Sequence, residues 1–319
     1  MGTPDRNTGI WDKVTFYATG QAKISDPVIE TYSIDVDNRA AVLHPTATIR
    51  SSVDGFCGIL ICKLSSDAAS FTGTYKSDIF YLKKDQDFQV SVDEITLSEV
   101  SFWWPVSFHS LGLSPALYRA EFELVDLRAS SCLEDDTSPP IVADQISFHH
   151  GIRKVEPFIH TDTGGQAFKI NGQQIFLTGG NWIATDQMLR YSRGDSRSKE
   201  RYHDEVKMHA EMGMNLIRVW GGSITERQEF YDECDKQGVL VFQEFWMTGD
   251  NNGRWGGEAS WPDDHTSYLA NAKSAILSTR THPSLLLWCF GNELDPDGES
   301  PPEDIRTSLQ DMLKQVILS

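Results

Sequence analysis

Cysteine is scarce in this chain of 319 residues: five occur, Cys57, Cys62, Cys132, Cys234 and Cys289, none in CxxC spacing. An odd, scattered set supports neither a disulfide framework nor a zinc site. Buried thiols acting as small hydrophobes are the plain reading, with a Cys57–Cys62 bridge left open. Basic charge is short as well, 28 Lys and Arg standing against 46 Asp and Glu for a formal net charge of −18. That balance lacks the basic face a nucleic acid or an anionic membrane would need, and leaves neutral or cationic ligands open. Uncharged apolar runs of about 18 residues are missing. The opening Met1-Gly2-Thr3-Pro4-Asp5-Arg6-Asn7 lacks the apolar core of a signal peptide. No Asn-x-Ser/Thr sequon occurs, and localisation stays unknown. P-loop, GxGxxG, GxSxG and HExxH patterns are absent too, so the residues call for no cofactor and no metal.

What is present changes grammar once. From Lys13 to about Val155 the period is two: Tyr32, Ile34 and Val36 alternate with polar residues, as do Tyr118, Ala120, Phe122 and Leu124. Half-buried antiparallel strands separated by turn-rich stretches such as Ser51-Ser52-Val53-Asp54-Gly55 predict a β-sandwich of roughly immunoglobulin size over 23–155. Ser130 to Pro140 reads as a long polar loop within it. After Glu156-Pro157 strands and helices alternate. Strands are predicted at Ile175–Trp182, Leu216–Trp220, Val239–Trp246 and Leu285–Glu293. Helices are predicted at Arg201–Met212, after Thr225, at Tyr268–Ser278 and at Glu303–Val316. Thr225 with Gln228 makes a capping box for the second helix, and Gly238 ends it. Four strand–helix pairs are half of a (β/α)₈ barrel, spanning 156–319. A complete barrel takes about 250 residues and only about 160 follow Pro157. The expected fold is therefore multidomain, β plus α/β.

The most informative stretch is Leu285-Leu286-Leu287-Trp288-Cys289-Phe290-Gly291-Asn292-Glu293, an apolar run that breaks straight into an amide and a carboxylate. Strands buried on both faces read as such runs, and catalytic groups of α/β barrels sit at strand C-terminal ends. Glu293 is the leading catalytic candidate. Around it the other strand ends bring Asn181 and Trp182, Arg218 and Trp220-Gly221-Gly222, Gln243, Glu244 and Trp246, and Asn292. Acids, amides and indoles together suit a sugar, whose C–H faces stack on rings while its hydroxyls need directed partners. Plainer readings stay open: the three tryptophans as core, and Arg218 with Glu244 as an ion pair between adjacent strands. The acids Asp295, Asp297, Glu299, Glu303 and Asp304 depart from calcium-loop spacing and read as a solvated helix N-terminus. His149, His150 and His160 have no partner pattern.

Several motifs in one order carry a resemblance. Asn171-Gly172-Gln173-Gln174-Ile175-Phe176 with Gly179-Gly180-Asn181-Trp182, then Asn215-Leu216-Ile217-Arg218-Val219-Trp220-Gly221-Gly222, then His282-Pro283-Ser284 leading to Gly291-Asn292-Glu293, resemble glycoside hydrolase family 2. The likeness is to its β-mannosidase branch. Glu226-Arg227-Gln228-Glu229-Phe230-Tyr231 and Gln243-Glu244-Phe245-Trp246-Met247-Thr248-Gly249-Asp250 look most like the mannosylglycoprotein endo-β-mannosidases within it. Phe102-Trp103-Trp104-Pro105 and His150-Gly151-Ile152-Arg153-Lys154-Val155-Glu156 resemble the start of a late strand and the closing strand of the family's middle sandwich. The resemblance implies a retaining glycosidase acting on a β-mannoside-containing glycan, in which one carboxyl serves as acid then base and a second attacks the anomeric carbon. Glu293 matches the acid/base and Asn292 the partner of the sugar 2-hydroxyl. Arg218 would support the nucleophile, and Trp182 and Trp220 would line the subsite. Asn181 and Trp246 join the expected substrate-binding set from their strand ends.

The family's nucleophile lies on the seventh barrel strand, so it is expected to be absent from this chain. Residues 1–22 resemble the tail of the family's N-terminal sugar-binding sandwich, and the chain reads as an internal slice. Negligible activity alone, and self-association through the open half-barrel, are the expectations. Two alternatives remain: a non-catalytic carbohydrate-binding remnant, and an exo-β-glucosaminidase-type glycosidase.

Overall fold

The computed structural model describes residues 10, 13–66, 71–128, 141–186, 197–249, 262–294 and 301–317. Two compact units emerge. The first takes in 15–103 and 116–174. Its strands are β1 (Ala22–Asp35), β2 (Ala40–Ser51), β3 (Phe56–Ser66), β4 (Phe71–Lys76), β5 (Phe80–Leu82), β6 (Asp87–Ser91), β7 (Ile95–Leu97), β8 (Tyr118–Asp126), β9 (Ile141–His150), β10 (Val155–Ile159) and β11 (Gln166–Ile170). One antiparallel sheet runs β1-β2-β6 with β7 also on β2, and a second runs β4-β3-β8-β9 with β5 also on β3. Every second residue of β2 and β3 is buried, as the period-two pattern requires. Tyr118, Ala120, Phe122 and Leu124 of β8 all point inward. Asn171 and Gly172, both at positive φ, turn β11 into β12 (Gln173–Ile175), the two-residue hairpin that Asn-Gly favours.

The second unit takes in 1–14, 104–115 and 175–319. Four parallel strands, β13 (Gly179–Trp182), β14 (Leu216–Val219), β15 (Leu240–Glu244) and β16 (Leu285–Cys289), pair in chain order. Helices α1 (Arg197–Glu211), α2 (Gln228–Gln237) and α3 (His265–Thr279) connect them, and α4 (Glu303–Ile317) follows. One face of the sheet is sealed by the helices: Trp182, Ile217, Val219 and Val241 pack with Tyr202, Val206, Phe230, Tyr231 and Cys234. Phe245, Met247, Tyr268, Ala272, Ile276, Ile305 and Leu309 form a second apolar cluster around α3 and α4.

Several local expectations are corrected. Tyr32 is exposed and stacks on His44 with ring centroids 4.6 Å apart, because bulges in β1 at Ser25/Val28 and Thr31/Ser33 shift the alternation, and Val36 lies beyond the strand. The segment Ile175–Trp182 is not one strand: β12 closes a hairpin, β13 joins the parallel sheet, and exposed Phe176 lies between them. Leu285–Glu293 ends as a strand at Cys289, and Leu285–Cys289 is half-buried, not fully buried. Among the described residues β16 has a partner strand only on its β15 side. Thr225 does not cap α2, whose N-cap is Arg227 without a side-chain bond, while the Gln228 amide contacts His282. Phe102–Pro105 lies outside any strand. Cys57 and Cys62 are free, as positions five apart on one strand face opposite ways. Burial pushes the Cys62 thiol up to about 12. The loop 130–140, Cys132 and the acids 295–299 lie outside the described residues. Glu303 and Asp304 do open α4. No described helix is long and apolar enough to cross a membrane.

Candidate active site

Asn181, Arg218, Phe242 and Leu287 are register partners across the parallel sheet. Since Trp182, Ile217, Val219 and Val241 point to the helices, strand alternation turns Asn181, Arg218, Phe242 and Glu244 to the opposite face. Arg218 organises that face. Its Nε and Nη2 donate to Glu244 Oε1 at 2.9 and 2.6 Å, its Nη1 to Asn181 Oδ1 at 2.8 Å, and its Nη2 also to Asn292 Oδ1 at 2.7 Å. The guanidinium carbon stands 5.8 Å from the centroid of the Phe242 ring. One cation thus joins polar groups from the ends of all four strands.

Glu244 is the buried member, 1% exposed at its side chain, and its second oxygen accepts the Gly221 N–H at 2.7 Å. A side chain at 221 would meet Phe245 O at 2.6 Å, so only glycine brings that amide so close. Asn292 is fixed by its backbone, donating N–H to Met247 O at 2.9 Å and accepting from Gly249 N at 3.0 Å. Gly291 before it would place a Cβ 2.4 Å from Met247 O. Glu293 follows at φ 55°, exposed at the same strand end. Glycine packing and a left-handed residue are what turn an apolar strand into a polar rim within four positions.

The tryptophans are dispersed. Trp182 is buried on the helix side, 5.0 Å from Phe230 by ring centroid, and donates its indole N–H to Glu226 Oε1 at 2.9 Å. Trp246 lies edge-on to Tyr268 of α3 at 6.0 Å. Trp220 is half-buried beyond β14, its ring against Gly222. Of the seven expected site residues, then, Arg218, Asn181 and Asn292 touch, Glu293 adjoins them, Trp220 stays half-buried beyond β14, and Trp182 and Trp246 pack toward helices.

Two further networks escape sequence reasoning. Glu226 accepts from Trp182 and, through Oε2, from Tyr202 OH at 2.7 Å, and burial raises its carboxyl while those hydrogen bonds pull it back. His282 meets Asp235 at 2.6 Å, and Asp235 also accepts the Ser284 N–H at 2.9 Å, clamping α2 to the turn before β16. Burial alone would lower the imidazole, but the Asp235 carboxylate leaves it raised. With Asp232 these are the one described grouping compact enough for a metal, yet Asp235 and His282 already satisfy each other. A buried Trp or Tyr needing an acceptor, and a buried His needing a carboxylate, were the available signals.

Residues 162–316 match the family described as glycosyl hydrolases family 2, TIM barrel domain. Mannosylglycoprotein endo-beta-mannosidase of Lilium longiflorum is 36% identical over 97% of the chain and 30% of its own length. Beta-mannosidase B of Emericella nidulans is 29% identical over 89% of the chain and 30% of its own length. Among solved structures, the exo-chitosanase CsxA of Amycolatopsis orientalis superposes with a TM-score of 0.73 at 20% identity, covering 93% of this chain and 31% of that one. The beta-D-mannosidase of Dictyoglomus thermophilum gives 0.71 at 24%, covering 94% and 34%. The chain spans about 30% of the length of the curated relatives it matches. Over the segment 162–316, then, the chain is similar to the TIM barrel domain of glycosyl hydrolases family 2.

Proposed function

We propose that the chain supplies the acid/base side of a retaining hydrolase of β-mannosides. The Arg218 cluster carries this reading, since it holds Asn181, Glu244 and Asn292 together at four successive parallel strand ends with Glu293 on the same rim. Glu293 protonates the leaving oxygen and then activates water, and Asn292 meets the sugar 2-hydroxyl. Arg218 keeps the Asn292 amide turned to the open face and stands ready to support the attacking carboxylate, which the resemblance puts outside residues 1–319. Trp220 is kept as the aromatic wall of the subsite, whereas Trp182 acts by fixing the backbone beside Asn181. Phe242, on the open face, offers the ring that Trp246 was expected to provide.

The domain reading goes with it: 1–22 as the tail of a sugar-binding sandwich, 23–155 as an immunoglobulin-like sandwich, and 156–319 as the first half of a TIM barrel. Two antiparallel sheets and four ordered βα pairs support it. In the full-length protein, Glu293→Gln should lower hydrolysis of β-mannosides with poor leaving groups by about 10²–10⁴-fold. Activated aryl β-mannosides should lose much less, because they need little protonation. Equal losses on both substrates would remove Glu293 from the acid role. Residues 1–319 alone should show no turnover of either.

A further inference from the structure

The first unit carries a cavity of about 280 Å³ between the edge strand β4 and the stretch from β7 to Val100. Phe71 and Tyr75 of β4 and Tyr118 of β8 give it aromatic walls, while Thr96, Ser98 and Glu99 give it a polar rim. The aromatic side is a built arrangement. Phe71, Gly73 and Tyr75 alternate onto one face of β4, and a Cβ at Gly73 would meet Tyr75 Oη at 2.7 Å and Phe71 Cζ at 2.8 Å. Both ring tips therefore close over the glycine, and only glycine leaves room for them. Tyr118 stands edge-on to Phe71 at 6.5 Å, with its hydroxyl held by the Ser101 N–H at 3.0 Å.

The polar side is held in an unusual backbone. Glu99 sits at φ 59°, and Arg39 secures this turn by donating Nη2 to Glu99 O at 3.1 Å and Nε to Val100 O at 3.2 Å. Among the described residues no group pairs with the Glu99 carboxylate, which is exposed at the rim. A non-glycine residue kept left-handed by an arginine clamp, with an exposed acid at its tip, is a feature found where a ligand is met. Aromatic walls opposite hydroxyls and a carboxylate match the two halves of a pyranose, apolar C–H face and hydroxyl edge. The volume is near the roughly 300 Å³ lower limit of ligand pockets, enough for one ring but not a chain. Glu99 and the −18 net charge turn away uronic and phosphorylated sugars.

We propose that this cavity is a second glycan subsite, taking a single neutral pyranose unit apart from the Arg218 cluster. It stands on its own lining and does not need the hydrolase reading to hold. The test is amide-resolved NMR of the full chain titrated with methyl β-D-mannopyranoside and with methyl β-D-glucopyranoside at millimolar concentration. Shifts are expected at residues 71–76 and 96–100, with affinity falling roughly fivefold to tenfold in Tyr75→Ala. Glu99→Gln, an exposed near-isosteric change, should weaken binding about twofold to fivefold with the amide spectrum otherwise unchanged. Shifts confined to residues near 181, 218 and 292 would overturn the subsite and leave the hydrolase reading standing. Absence of shifts at 71–76 and 96–100 with either sugar, or binding unaltered in both folded variants, would overturn it too.

Discussion

Arg218 bonds to Glu244, Asn181 and Asn292 at once, and among the described residues the Glu244 carboxylate has only the Gly221 amide besides. Removing the guanidinium leaves a buried carboxylate nearly alone, a change worth about 3 kcal/mol given that Arg218 itself is partly exposed. Arg218→Ala should accordingly lower the unfolding free energy of the second unit, read from a urea titration, by that amount. Arg218→Lys should recover part of it, yet fail to hold both amides, since an ammonium lacks the planar fork. His282 and Glu226 make a second residue-level statement, about pH. Both are raised in the fold, from 6.5 and 4.5, so each favours folding at low pH and loses that contribution as pH rises through its folded value. Stability followed by urea titration should decline from pH 6.5 upward, and Asp235→Asn should flatten that part of the profile. An unchanged slope in the variant would assign the decline to other groups.

At the scale of elements, the approach of β15 to β16 decides where Asn292 lands. Gly291 lies against Met247 O with no room for a methyl group, the distance to a built Cβ being 2.4 Å. Gly291→Ala must push the two strand ends apart at a cost of about 1–3 kcal/mol. The same shift breaks the Asn292 N–H to Met247 O bond and withdraws Asn292 Oδ1 from Arg218. Lowered melting temperature together with lost β-mannoside-induced shifts at 181 and 218 is the expected pair of results. Loss of stability with those shifts retained would mean that the strand ends do not set the site. The neighbouring Gly221 behaves alike, its amide reaching Glu244 only because no side chain stands before Phe245 O.

At the scale of the whole chain, the parallel sheet shows one edge at β16 and another at β13 among the described residues, and Leu285–Cys289 remains half-buried. Open edges of that kind recruit further strands. Residues 1–319 should therefore associate with rising concentration in sedimentation velocity, and Leu287→Lys, placing a charge on the edge strand, should weaken the association. A strictly monomeric chain over a wide concentration range would mean that the edge is covered by some other means.

Periodicity and strand-end chemistry carried a good deal of this. Alternation in Tyr118–Leu124, the βα order after Ile175, Gly238 as the end of α2, and the gathering of Asn181, Arg218 and Asn292 all follow from side-chain spacing, which the backbone repeats of 2.0 and 3.6 residues translate directly into faces. Burial of the glutamates did not follow. Glu226 stands between Thr225 and Arg227 and Glu244 between Gln243 and Phe245, and only the approach of Trp182, Tyr202, Arg218 and the Gly221 amide from distant segments makes them buried acceptors. The same holds for Trp182 and Trp246, whose sequence positions at strand ends do not say whether an indole turns to the helices or to the open face. Local sequence determined which elements form and what chemistry their ends carry. Tertiary structure alone decided which charges meet, because ion pairs and hydrogen bonds depend on ångström distances between residues tens of positions apart.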